Sequence, residues 1–253
     1  MATFLFLGTG SSSGTPCLLC PCSVCQSSEA KNKRLRSSAL VETEGRHFLI
    51  DAGPDLRQQA LTYAIRRIDA LFLTHTHYDH IAGLEELRAY SYCQGGAVDC
   101  VLSKASFAEV KKRYSYLFEE RTANSKVMLN FQPLGEGHGK GHVQSVPFAY
   151  MSYFQCNMEV SGFRFGSLAY LTDIGDYDPS VFEQLQGVET LILGAARPKP
   201  SPCQLSFEEA AAFAKEVNPK ITYLTHISHE VDHERLKLPA GVHLAYDGLK
   251  LNF

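Results

Sequence analysis

No apolar run among the 253 residues approaches the ~20 needed to cross a bilayer as a helix, which predicts a chain with no membrane span. Acidic residues exceed basic ones by only three. A formal net charge of −3 gives no general attraction for nucleic acid or for an anionic membrane. There is no dinucleotide fingerprint either. Gly8-Thr-Gly10-Ser-Ser-Ser-Gly14 follows a strand-like run, but its glycine spacing is wrong and Pro16 with several cysteines stands where a helix should start. That loop is either a flexible turn or a backbone able to approach a phosphate closely. No basic leader with a cleavage site opens the chain, and three of its eight cysteines are crowded at Cys20, Cys22 and Cys25. Such spacing suits a metal better than disulfides, so the cytoplasm is the expected compartment.

With 45% hydrophobic residues the chain can bury a substantial core, and one large α/β domain over residues 1–253 is the expectation. The apolar run Ala70–Leu73 reads as a buried strand ending in His75, His77, Asp79 and His80. Core packing asks for no such cluster; an N-cap role for Asp79 would explain one residue of the four. In extended backbone, positions i and i+2 point the same way, so His75 and His77 converge on one point. A helix starting near Asp79 would carry Asp79 and His80 to a second point beside it. Two adjacent groups of N and O donors suit one or two divalent ions such as zinc, manganese or iron.

The C-x-C-x-x-C core Cys20, Cys22, Cys25 offers three soft ligands on one tight loop within residues 17–25. A closed zinc site needs a fourth, supplied by Cys17 or by a distant histidine. The basic stretch Lys31–Arg36 reads as a solvated face, with a polyanion site as the alternative. Residues 37–50 form a hairpin turning at Glu44-Gly45, followed by Asp51-Ala52-Gly53 and a helix over 55–66. Further helices are predicted over Leu84–Tyr92, 105–120 and Leu205–Val217, the last with Ser206 and Glu209 as a capping box. Strands are predicted at 98–102, 126–132, 143–149, Leu168–Asp173, Leu191–Gly194 and Ile221–Thr225. The glycine-rich segment 135–142 reads as a mobile hairpin loop, with a metal or substrate role for His138 or His142 as the lesser option. Asp173 ends its apolar strand and His226 follows one directly.

His75-Thr-His77-Tyr-Asp79-His80 resembles the H-x-H-x-D-H motif of the metallo-β-lactamase superfamily. The resemblance implies a four-layer αββα sandwich with a hydrolytic site for one or two metals on one edge. It implies that Asp51 supports the metal loop without ligating and that Asp173 bridges two metals. His226 would then be the final metal-binding histidine. Across nearly the whole chain the likeness is to the phosphoribosyl cyclic phosphate phosphodiesterase family of phosphonate breakdown, and beyond it to ribonuclease Z. In that family three such cysteines and the second histidine of the last motif hold a structural zinc, which here means Cys20, Cys22, Cys25 and His229. Two departures stand out. The third-motif histidine is replaced near Met151 or Tyr150, and an extra active-site histidine is replaced in Gly194–Lys199, where Arg197 and Lys199 become candidate phosphate contacts. The implied substrate is a small cyclic or nucleotide-derived phosphodiester hydrolysed by metal-activated water, with Asp79 central to catalysis. Nucleic acid is the less favoured substrate, a non-catalytic binding protein is the rival class, and a homodimer is an option by analogy alone.

Overall fold

The computed structural model describes residues 2–118 and 129–253. Its first sheet takes β1 (Thr3–Gly8), β2 (Ser38–Thr43), β3 (Arg46–Ile50), β4 (Ala70–Phe72), β5 (Val98–Leu102) and β6 (Leu129–Pro133). The second takes β7 (His138–Val143), β8 (Val146–Gln155), β9 (Met158–Phe165), β10 (Leu168–Leu171), β11 (Thr190–Gly194), β12 (Ile221–Thr225) and β13 (Val242–Leu244). A last strand, β14 (Lys250–Asn252), returns to the first sheet beside β1, so among the described residues each sheet has seven strands. The helices are α1 (Leu56–Thr62), α2 (Tyr78–Ile81), α3 (Leu87–Gln94), α4 (Lys104–Arg113), α5 (Val181–Leu185) and α6 (Phe207–Val217).

Strand alternation builds the layers. Phe4 and Phe6 of β1, Phe48 and Ile50 of β3 and Phe72 of β4 point inward and meet Phe148, Phe163, Phe165 and Tyr170 of the opposite sheet. The Phe72 ring lies 5.0 Å from each of Phe148, Phe163 and Phe165, edge to face. The alternate residues Leu49, Leu71, Leu73 and Leu102 face outward and are covered by Leu56, Ile81, Leu87 and Val110 from the helical side. On the other sheet Leu171, Leu191, Leu193 and Leu224 do the same beneath Leu185, Ala210 and Phe213. This is the expected αββα sandwich. The α6 capping box forms as predicted: Ser206 Oγ accepts from Glu209 N–H, and Glu209 accepts from Ser206 N–H at 2.7 Å.

Several elements differ from the sequence expectation. The segment 135–142 is largely strand β7, paired antiparallel to β8 from His138↔Met151 to Val143↔Val146. Its glycines have a packing reason: a Cβ at Gly139 would sit 2.6 Å from the Tyr150 hydroxyl, and one at Gly141 would sit 2.7 Å from the Phe148 ring. Aromatic rings of β8 thus lie over glycine, while the intervening His138, Lys140 and His142 are exposed and away from the histidine cluster. The turn lies at Gln144 and Ser145, both at positive φ (50° and 69°), as a two-residue hairpin requires. The strand expected over 143–149 accordingly starts at Val146 and runs to Gln155.

The helix expected over 55–66 ends at Thr62. That over Leu84–Tyr92 opens with a 3-10 turn, Leu84–Glu86, before α3. The expected 105–120 helix stops at Arg113 with a 3-10 turn, Ser115–Leu117, and its last two positions lie outside the described residues. The same holds for 126–128 of the expected strand 126–132, whose described part is Leu129–Pro133.

Candidate metal centre

The site lies where β3, β4, β10 and β12 end. Asp51, Asp173 and His226 each follow a strand end in a left-handed conformation, with φ of 60°, 53° and 60°. Non-glycine residues adopt this region rarely, and such strain gathers at functional sites, where it aims a side chain out of the strand direction. The loop holding Asp51 docks directly on α2. Ala52 N–H donates to His80 C=O at 2.8 Å, and Gly83 N–H donates to Ala52 C=O at 2.8 Å. A Cβ on Gly53 would sit 2.0 Å from Asp79 O, and one on Gly83 would sit 2.1 Å from Gly53 O, so only glycine permits this approach.

Asp51 is fully buried and touches no solvent. It accepts from Thr74 N–H at 2.8 Å, from Thr74 Oγ1 and from His80 Nδ1 at 2.6 Å. The bond from His80 fixes its tautomer and leaves Nε2 facing the cluster. Thr74 extends the logic. With its one hydroxyl proton given to Asp51, Oγ1 accepts from His75 Nδ1–H at 3.0 Å, and His75 too presents Nε2. The sequence pointed to the supporting carboxylate but not to this threonine.

Two compact donor groups result, His75 with His80 and Asp173, and Asp79 with His80 and His226, each with ligand atoms within 4.8 Å of one another. His77 lies at the margin of the first, its Nδ1 2.9 Å from His75 Nε2. The expected convergence of His75 and His77 is therefore present, while His80 belongs to both groups rather than to the second alone. His80 Nε2 is buried without a hydrogen-bond partner, although Asp79 Oδ2 and Asp173 Oδ2 each lie 3.2 Å away. An orphaned imidazole nitrogen between two carboxylates fits a divalent cation.

The electrostatics agree. Burial opposes ionisation of Asp79 and Asp173, but His80 and His226 outweigh it and hold both well below the usual carboxylate range. Burial likewise opposes protonation of His80, yet Asp51, Asp173 and Asp79 hold it well above its usual value. His75 is pushed down by burial and by the neighbouring His80, and stays neutral. Two ionised carboxylates balanced only by protons on imidazole form a site that a divalent cation can take over.

The sequence placed the missing third-motif histidine near Met151 or Tyr150. In the structure Met151 is packed in the core on the helical side of the second sheet, and Tyr150 lies in the core between the sheets. The β8 residue that reaches the cluster is Gln155, whose Nε2 donates to Asp173 Oδ1 at 2.8 Å. Gln204 Nε2 donates to the same oxygen and lies 3.3 Å from His226 Nδ1. Adjacent to both, Cys156 and Cys203 form a disulfide. Neither glutamine nor that cysteine pair carries a spacing signal that could have singled it out.

The four residues expected at the second candidate site lie together. Cys20, Cys22, Cys25 and His229 bring their ligand atoms within 4.8 Å of one another. Cys20 and Cys22 sulfurs lie 3.4 and 3.5 Å from His229 Nδ1. Cys17 is not part of the group: its thiol donates to Gly14 C=O, and its N–H donates to Cys25 Sγ. The hydrogen bond with His229 and the Cys25 N–H pull the Cys22 thiol down to about 6, whereas burial pushes Cys25 up to about 12. Three thiols and an imidazole at these separations fit a tetrahedral zinc.

A cavity of about 520 Å³ opens over the histidine cluster, lined by His77, Asp79, Gln155, Asp173, Gln204 and His226 on one side and by Ser11–Ser13, Arg197, Ser228 and Glu230 on the other. The glycine-rich loop thus borders the site; within it Gly10 N–H donates to Leu35 C=O and Ser11 N–H to Ile227 C=O. Arg197 lines the cavity, half-exposed, 3.6 Å from Glu230; Lys199 is exposed and does not line it. The basic stretch Lys31–Arg36 is neither a free face nor a polyanion patch. Arg34 is buried against Thr9 and Ala245 C=O, Arg36 pairs with Asp55 and Lys31 with Glu234.

A family model described as "Beta-lactamase superfamily domain" matches residues 46–227. The chain superposes with a TM-score of 0.91 and 36% identity on a diphosphatase from the PhnP family, covering 100% of this chain and 98% of that one. It is 30% identical over 251 residues to an octanoyltransferase of Porphyromonas gingivalis, 97% of this chain but 50% of the relative, so it spans about half of that protein's length. A 95-residue stretch is 36% identical to ribonuclease Z of Bacillus thuringiensis, 37% of this chain and 27% of that enzyme. No described helix is long and apolar enough to cross a membrane.

Proposed function

The chain belongs to the metallo-β-lactamase superfamily, and on that premise we propose that it is a metal-dependent hydrolase of a small phosphodiester or diphosphate. The observation that carries the reading is the 520 Å³ cavity with two buried His/Asp donor groups on its floor and a guanidinium on its rim. Its volume suits a small molecule. Divalent ions held by His75, His77, Asp79, His80, Asp173 and His226 would supply water acidified for attack and would neutralise charge on the phosphoryl group.

The chain's own residues do the rest. Asp51 and Thr74 hold His80 and His75 in the tautomers that present Nε2. Arg197 offers a planar fork to phosphate oxygens, and its half-exposed partner Glu230 is weakly held and easily exchanged. A guanidinium does not release a proton near neutrality, so the leaving group takes its proton from solvent or from another cavity group. The structural zinc would be held by Cys20, Cys22, Cys25 and His229 and would tie the N-terminal loop to the end of β12.

The test is turnover of an aryl phosphodiester by the manganese- or zinc-loaded chain, abolished by Asp79→Ala. Absence of turnover in the loaded wild type would overturn the proposal. A nuclease is the second reading, favoured by the stretch shared with ribonuclease Z. The net charge of −3 weighs against it, and RNA affinity that falls steeply with salt would decide in its favour.

A further inference from the structure

Gln155 ends β8 with its side chain in the cation cavity, and its two amide atoms are treated differently. Nε2 donates to Asp173 Oδ1 at 2.8 Å, whereas Oε1 is fully buried and has no hydrogen-bond partner. Buried carbonyl oxygens are nearly always paired, so an orphan beside a group of metal-ligand side chains calls for an explanation. A glutamine amide can turn over about its last torsion, which exchanges nitrogen and oxygen at nearly the same positions. In the turned form Oε1 faces Asp173 Oδ1. Two such oxygens at that separation repel unless one cation is shared between them.

Gln204 does not compete for the role. Its Nε2 faces Asp173 Oδ1 and His226 Nδ1 together, and Nδ1 is the far nitrogen of a ring whose Nε2 points at Asp79 Oδ2. Turned over in the same way, its oxygen would accept from His226 Nδ1–H and leave His226 Nε2 free to ligate, so that oxygen is committed to orienting His226.

We propose that Gln155 is a ligand of the first active-site cation, binding through Oε1 beside His75, His77 and Asp173. This rests on the reading above that the cluster holds divalent ions. The consequence is a change in metal preference. A site with two imidazoles and two oxygens is harder than one with three imidazoles, and carbonyl and carboxylate oxygens suit manganese where imidazole suits zinc. The position that lacks the expected histidine is thereby an oxygen-shifted site rather than a lost one.

The experiment is a manganese(II) titration of the full chain, with the structural zinc kept in place, followed by electron paramagnetic resonance. Wild type, Gln155→Leu and Gln155→His are compared. Zinc content and far-UV circular dichroism confirm that each variant is folded. The expected wild type binds two manganese ions per chain with a spin-coupled signal. Gln155→Leu loses the coupled signal and weakens one ion at least tenfold, while Gln155→His keeps two sites but lets zinc displace manganese from one of them. Unchanged stoichiometry, affinity and coupling in Gln155→Leu would overturn the proposal. So would a wild type that binds one ion while Gln155→His binds two. If neither wild type nor Gln155→His binds manganese or zinc at the histidine cluster, the metal-dependent reading itself fails, an outcome distinct from the other two.

Discussion

Asp51 Oδ2 accepts a 2.6 Å hydrogen bond from His80 Nδ1 where neither side chain is exposed at all. That one contact decides which imidazole nitrogen faces both donor groups, because His80 is common to the two. Asp51→Asn keeps the shape but its amide can meet Nδ1–H only through one oxygen, in competition with Thr74. The expected result is a 10- to 100-fold loss of active-site metal affinity, roughly the range seen when such supporting carboxylates are removed, with the cysteine site still filled. Isothermal titration with manganese or zinc measures it. Unchanged affinity would show that Asp51 is only a structural brace.

The cysteine site ties residues far apart in sequence, Cys20 and Cys22 to His229. Loss of one ligand therefore acts on folding before it acts on chemistry. Cys22→Ser is expected to lose about one zinc per chain and to lower the melting temperature by about 5–10 °C, with aryl phosphodiesterase activity reduced only near the new melting temperature. Elemental analysis with a thermal melt checks both. Full zinc retention would exclude Cys22 as a ligand.

The Cys156–Cys203 disulfide closes a loop across 47 residues and flanks the two glutamines that touch Asp173. In the chain-entropy picture a loop of that length stabilises by roughly 4 kcal/mol, and engineered and natural cases often deliver less. The Cys156→Ser/Cys203→Ser double variant should lose about 2–4 kcal/mol in urea denaturation. Wild type in reducing agent should lose the same amount. A matching midpoint for oxidised wild type and the double variant would show that the bridge contributes nothing.

How much could be read in advance depended on whether a residue's chemistry announces itself. Three imidazoles and an aspartate within six residues, a carboxylate ending a strand and a C-x-C-x-x-C loop have few other uses, and the structure brings each together. Gln155 and Gln204 were not legible because glutamine is common on any surface. Gln155 reaches the cluster because β8 runs to residue 155, six residues past the end of the predicted strand 143–149, and Gln204 reaches it from the loop before α6. β7 was hidden because Gly139 and Gly141 read as a turn until the Tyr150 and Phe148 rings above them are seen. Arg34 looked like one of several surface cations, and only the fold shows it sealed between the N-terminal loop and the chain's end.

That buried arginine also sets a pH dependence of stability. Arg34 Nη2 lies 3.0 Å from His233 Nδ1 and, having only protons to give, requires that nitrogen as an acceptor. Burial, then the charges of Arg34 and Lys31, pull His233 down to about 4 from an ordinary 6.5. The unfolded chain therefore binds this proton first as pH falls, so the folded state loses stability from pH 6.5 down to about 4 and levels off below. Asp247 acts in the opposite sense. Burial pushes it up to about 6, so its contribution to stability grows as pH falls from 6 to 3.8. The wild-type profile mixes the two, and the informative quantity is its difference from His233→Gln, which accepts from Arg34 without titrating. Since His233 is about half exposed, screening reduces the swing to roughly 1–2 kcal/mol across that window. Urea midpoints at pH 7 and pH 4.5 measure it. Parallel profiles for the two proteins would mean that His233 is protonated in the fold and that Arg34 is held by Thr9 and Ala245 alone.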